Sequence, residues 1–246
     1  IYEYVIVACV RWSYTMGFPL QPHQMSSSPV SILWGLLGDR RKPRSWNLVS
    51  LEQCANLLAD AANGLAFLSA WQRWRGADLV PTARQVKPEE LGRALSSLSI
   101  FNVYSRERSA YHLVGAVHEN LMGENPTGDD ISTKTAKIDL DRRLERLWYA
   151  ASAPCGIVAD VVYVRRSGYK GVARRLFLPV MPSSIDGPMT LYTSVDSHGE
   201  EPAYDEPAVF AKPVQEFTYV DIGGGAPKDR SFQPVGDRLG EVQPLV

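Results

Sequence analysis

Residues 156–195 read GIVADVVYVRRSGYKGVARRLFLPVMPSSIDGPMTLYTSV. Three runs rich in Val, Ile, Leu, Tyr and Phe are parted by Ser167-Gly168-Tyr169-Lys170-Gly171 and by the turn-forming Pro182–Gly187. This pattern predicts strands over 156–164, 172–181 and 189–195, a three-stranded meander. A half-buried strand alternates its side chains between two faces. On that basis Leu178 and Leu191 are expected on a helix-covered side of the sheet.

Working upstream, Leu140, Leu144, Leu147, Trp148 and Ala151 mark an amphipathic helix that stops at Pro154. The segment 119–135 is rich in Gly, Asn, Asp and Thr and lacks strand character. Leu98–Tyr104 and Tyr111–Ala116 are two further strand-like runs, joined by Ser105-Arg106-Glu107-Arg108-Ser109 as a hairpin. Glu89–Ala94 reads as a short helix after Pro88, and 79–88 as an extended, proline-bracketed linker. Ser50 with Gln53 is a capping-box signature, opening a helix that Gly76 ends. Its stripe of Leu51, Cys54, Leu58, Ala61, Leu65 and Leu68 recurs at steps of three and four, beside a second apolar face of Phe67, Trp71 and Trp74. The aromatic face is expected on the domain itself. The leucines Leu51, Leu58, Leu65 and Leu68 are expected to hold a second copy in a homodimer, with burial of both faces inside one monomer as the alternative. The fold class is therefore α+β: a five-stranded antiparallel sheet with helices on one face, preceded by an amphipathic N-terminal helix.

The ends are less organised. Residues 1–49 read as an irregular extension and 199–246 as a Pro/Gly-rich tail, leaving 50–198 as the domain. Ile1–Val10 carries Glu3, lacks a preceding basic region and is too short to span a bilayer, so it is not read as a signal peptide. Met25, before a serine run, reads as a translation start, and the basic run at 40–44 as a solvated linker cluster. One island in the tail, Glu216–Ile222, alternates well enough for a strand.

Across 246 residues, 45% are apolar and 22% charged, which excludes a wholly disordered, collagen-like or multi-span membrane chain. With 26 basic and 27 acidic residues the net charge is −1, so no global field favours nucleic acid or an anionic membrane. Cys9, Cys54 and Cys155 fit neither a disulfide framework nor a zinc site and suit a reducing, cytoplasmic setting.

Several local signals extend the reading. Leu68, Trp71, Arg75-Gly76, then Pro81, Arg84 and Pro88, resemble the tryptophan-bearing helix and P-x-R…P linker of a family of small single-domain bacterial PAS proteins. Leu95, Leu98 and Ile100 are similar to its first strand. Leu113-Val114-Gly115 with Gly123 and Thr127-Gly128 is similar to its L-V-G…G…T-G segment, and Leu176-Phe177-Leu178-Pro179-Val180 to its L-L-L-P-L strand. The likeness covers about residues 60–197, and the order of hairpin, helices and meander agrees with it. His112 stands where the family usually has arginine. The resemblance implies a PAS-like sensory, ligand-binding or interaction domain that acts through a partner protein, without catalysis.

No motif for chemistry outweighs that reading. Val220-Asp221-Ile222-Gly223-Gly224-Gly225 looks like a nucleotide-cradling loop, but too little chain follows for a doubly wound fold, and a turn after an edge strand is expected. His118-Glu119 starts like a zincin helix, yet Met122 occupies the second histidine position. Glu119, Glu124, Asp129 and Asp130 match no calcium loop and are read as solvated acids. His23, His112, His118 and His198 are scattered, and no site with a perturbed nucleophile and base in hydrogen-bond reach is expected. Haem-binding PAS members place a histidine on the long helix, and photosensing flavin members a cysteine after the first hairpin. Residues 139–153 hold no histidine and 117–138 no cysteine, so the resemblance disfavours both cofactors. A small apolar ligand is expected against Leu113, Leu121, Leu147, Leu178 and Leu191. A small enzyme using the cavity between sheet and helices is the alternative.

Overall fold

The computed structural model describes residues 48–135, 137–165, 169–184, 186–198, 208–209 and 216–225. Eight strands form one mixed sheet: β1 (Leu48–Ser50), β2 (Ser99–Ser105), β3 (Arg108–Leu113), β4 (Gly156–Arg165), β5 (Lys170–Val180), β6 (Met189–His198), β7 (Ala208–Val209) and β8 (Glu216–Asp221). Their order is β1-β8-β4-β5-β6-β2-β3, with β7 also on β4. β1 and β8 run parallel; every other pairing is antiparallel.

The meander β4-β5-β6 and the hairpin β2-β3 form as the sequence predicts, and β6 pairs with β2 to join them. The expectation of five strands is corrected. The island at 216–222 becomes β8 and pairs along β4 from Gly156↔Val220 to Asp160↔Glu216. An open edge on a strand as long as β4 would leave a row of backbone donors and acceptors unpaired, and β8 supplies the partners. The domain therefore extends beyond 50–198 at both ends.

Helices cover both faces of the sheet, not one. They are α1 (Leu51–Leu57), α2 (Ala62–Arg75), α3 (Ala116–Met122) and α4 (Lys137–Ser152), with 3₁₀ turns at Pro88–Ser97 and Ile131–Lys134. On one face α1, α2 and the 88–97 segment meet Val158, Leu176, Leu178, Val180 and Val220. On the other, α4 meets Phe101, Ile157, Phe177, Leu191 and Tyr219. Consecutive residues Leu176, Phe177 and Leu178 are all buried, the mark of a strand packed on both sides.

The single N-terminal helix of the sequence reading is two helices. Ser50 Oγ accepts from the Gln53 amide at 3.2 Å and Gln53 Oε1 from the Ser50 amide at 2.9 Å, so the capping box is present at α1. After residue 57 the chain turns, and a second helix starts where a carboxylate from the sheet meets it. The Asn63 and Gly64 amides donate to the two oxygens of Asp196, on β6, at 2.9 and 2.8 Å. A charge at a helix start both satisfies orphan amides and complements the helix dipole. Gly76, with φ +53°, ends α2 in a conformation that favours glycine.

The leucine stripe offered for a second copy is used inside the chain. Leu58 and Leu68 are buried in the layer beneath α1 and α2, and Leu51 and Leu65 pack against it. Phe67, Trp71 and Trp74 are buried in the same layer. α2 is covered by the sheet and by the 88–97 segment together, so both of its apolar faces are closed within one monomer. Trp71 Nε1 donates to the Pro179 carbonyl at 2.9 Å, while Met181 exchanges backbone bonds with Pro81 and Ala83.

Cys9, His23, Met25, the basic run at 40–44 and the acidic stretch 200–206 lie outside the described residues. Among the described residues, no helix is long and apolar enough to cross a membrane.

Candidate functional site

The layer between α4 and the sheet is where polar chemistry is buried. Along α4, Arg143 and Arg146 share the stripe of Leu140, Leu144, Leu147 and Ala150, so the helix periodicity turns two guanidinium groups toward the sheet. Arg175 stands on β5 between Ala173 and Phe177, cross-strand from Val195 on β6 and Ala159 on β4. Arg146 and Arg175 are both buried. Burial brings each down to about 10, for Arg175 with a further contribution from the neighbouring Arg143 charge. Arg143 donates to Thr135 Oγ1 at 2.6 Å and to the Tyr111 hydroxyl at 3.0 Å, and its guanidinium lies over the Phe101 and Tyr111 rings.

His118, on α3, completes the cluster. Its ring is fully buried, edge-on to Tyr111 with centroids 6.0 Å apart. Nδ1 lies 3.2 Å from Ser99 Oγ on β2, and that oxygen accepts from the Gly115 amide at 3.1 Å. Burial, then the positive charges of Arg175 and Arg143, hold His118 well below its ordinary range, so the imidazole is neutral near pH 7. Gly115 is needed here. A Cβ on it would sit 2.4 Å from the Leu98 carbonyl and 2.5 Å from that of Ser96. Thr127-Gly128 pins the same turn: Thr127 Oγ1 accepts from the Val114 amide and the Gly128 amide donates to the Tyr111 carbonyl.

Of the five residues predicted to line a ligand, Leu121, Leu147 and Leu191 lie on this side. Leu178 does not: it faces the α1–α2 layer. Leu113 is 44% exposed. The pairings Ile100↔Leu113 and Phe101↔Tyr111 leave His112 as an extra residue on β3, and this bulge reverses the alternation. His112 is exposed, with Nδ1 3.4 Å from Asn102 Nδ2.

Ser99 and His118 do stand in hydrogen-bond reach, but no carboxylate joins them among the described residues. They form a pair, not a triad: among the described residues the other ring nitrogen, Nε2, has no partner. Sequence reasoning missed the arginines as well. The signal was available, since Arg143 falls three residues after Leu140 and four before Leu147, and Arg175 sits between Ala173 and Phe177 in alternation.

The remaining sequence signals resolve structurally. Asp221 Oδ1 accepts from the Gly223 and Gly225 amides at 2.8 and 2.9 Å, so the glycine run closes on its own aspartate. It is a turn, although β8 is an interior strand. Lys134 contacts Glu124 and Asp129 at 2.8 and 3.7 Å, Arg108 lies 3.6 Å from Asp130, and Asn125 donates to Glu119. Among the described residues no group of His, Cys, Asp and Glu is placed to hold a metal ion. Compared with protein-family models, curated proteins and solved structures, the chain has no match in any of the three.

Proposed function

We propose that this chain is a PAS-like sensory or interaction domain, which takes a small ligand between α4 and the sheet and acts through a partner protein. The observation carrying this reading is the hairpin, helical run and meander laid on five neighbouring antiparallel strands, with α4 over one face. The residues behind the resemblance also meet in space: Trp71 bonds Pro179, Gly115 abuts Leu98, and Thr127-Gly128 secures Val114 and Tyr111. Cys54 and Cys155 are buried free thiols, raised by burial, which suits a cytoplasmic setting.

The Ser99–His118 bond favours a second reading, a small hydrolytic enzyme. Against it, Ser99 is fully buried and its oxygen already accepts an amide, and no orienting acid reaches His118 among the described residues. Native mass spectrometry of the purified chain, before and after denaturation, decides between them. A small-molecule mass lost on denaturation, with no turnover of chromogenic esters, is expected. Turnover abolished by Ser99→Ala would establish the enzyme and end the sensory reading.

A further inference from the structure

The polar groups beneath α4 present donors. Ser99 Oγ receives the Gly115 amide, and among the described residues the acceptor in reach of its single proton is His118 Nδ1. That bond fixes the tautomer and places the imidazole proton on Nε2, across the ring. Nε2–H is a buried donor that meets no acceptor among the described residues. Beside the ring, the partners of Arg143 among the described residues are the neutral oxygens of Thr135 and Tyr111, and no carboxylate pairs with it there. Arg175 adds a second buried positive charge on the same sheet face. Phe101 lies under the Arg143 guanidinium and packs against Tyr111 and Phe177, and Leu191 belongs to the same apolar layer, which suits an apolar body. An unmet buried donor costs free energy, and a guanidinium in an aromatic surround pairs best with a planar anion.

We infer that this interior binds a compact organic carboxylate, whose oxygens accept from His118 Nε2–H and Arg143 while its apolar part faces Phe101 and Phe177. The inference rests on the reading of this interior as a ligand site, and it changes the ligand class from apolar to amphipathic anion. A carboxylate fits better than a phosphate, because its two oxygens match the donors of His118 and Arg143 while a phosphate leaves further oxygens against aromatic rings.

The test titrates the full chain with sodium butyrate, sodium benzoate, butyramide and inorganic phosphate at constant ionic strength, following thermal midpoint and the His118 imidazole ¹H–¹⁵N resonances. A carboxylate is expected to raise the midpoint and move the Nε2–H signal, with butyramide and phosphate silent. Arg143→Gln, at a half-buried position, should weaken carboxylate binding about tenfold, the worth of one charge-assisted hydrogen bond. The resonance readout on the unaltered chain stands whether or not that variant folds. Silence of His118 toward both carboxylates overturns the anion. If butyramide binds equally, or a neutral molecule co-purifies, the anion fails and the sensory reading survives. No bound molecule of any class, together with silence toward every probe, removes both.

Discussion

The two faces of the sheet are built from the same strands and hold opposite chemistry. Toward α1 and α2, β5 turns Leu176, Leu178 and Val180 into a layer with Phe67, Trp71 and Trp74. The buried carboxylate there, Asp196, is met by two helix amides. Toward α4, the same strand turns Phe177 and Arg175 among Arg143, Arg146 and His118. Burying a guanidinium costs several kcal/mol before its partners are counted, and a well-packed apolar side chain costs none of it. A sheet shaped for stability alone would fill both faces alike. The α2 face is packed with apolar side chains, while the α4 face buries cationic groups whose desolvation an apolar filling would avoid.

The sharpest break of that comparison is Trp71→Ala. The side chain is fully buried and its indole bonds the Pro179 carbonyl, so removal leaves a cavity and an orphaned acceptor. A loss of about 3–5 kcal/mol is expected, read from the urea midpoint at unchanged slope. Leu147→Ala, on the α4 face, serves as the control. If it proves severe while Trp71→Ala costs under about 1 kcal/mol, the comparison of the two faces fails.

Acidification separates the faces next. His118 is faced by Arg175 from β5, Arg143 from α4, Tyr111 from β3 and Ser99 from β2, and it stays neutral in the fold. The unfolded chain takes up the proton near the ordinary value of 6.5 and the folded chain does not. Unfolding therefore binds a proton below that pH, so stability is complete above it and falls as pH drops. The folding equilibrium constant is expected to lose up to about tenfold per pH unit relative to His118→Leu. Denaturation of both proteins at several pH values between neutrality and mild acid measures it. A difference independent of pH would place a solvated ring at position 118, and a dependence of opposite sign a protonated one.

Much of this contrast was legible in the sequence, and its gaps have local causes. The meander, the hairpin and α4 followed from periodicity, because each carries a strong apolar alternation of period 2 or 3.6. The two-sided burial of the sheet was visible in Leu176-Phe177-Leu178, three apolar residues in succession, but alternation alone assigns such a run to one face. The break between α1 and α2 was not legible, because the group that starts α2 is Asp196, more than a hundred residues away. Residues 216–221 alternate, yet nothing local says that they insert beside β4. At the site, apolar periodicity points to lining leucines, whereas Arg143 and Arg146 share the α4 stripe with them and carry no apolar signal. His118 itself looked like one of four scattered histidines until Gly115 brought Ser99 beside it.

The smallest expected effect tests the edge where both faces meet solvent. Regular alternation puts Leu113 with Tyr111, under α4. The bulge at His112 puts it opposite, where it pairs with Ile100 and stands 44% exposed. Exposed substitutions away from caps and cores usually change stability by no more than about 0.5 kcal/mol. Leu113→Ser is therefore expected to leave the urea midpoint nearly unchanged and butyrate affinity untouched. If the bulge were absent, the side chain would enter the α4 layer beside Tyr111, and serine there would cost about 2–4 kcal/mol through lost burial and an added unmet hydroxyl. The two registers differ by several-fold in expected effect. One variant thus decides whether the hairpin presents Leu113 to the α4 face or to water.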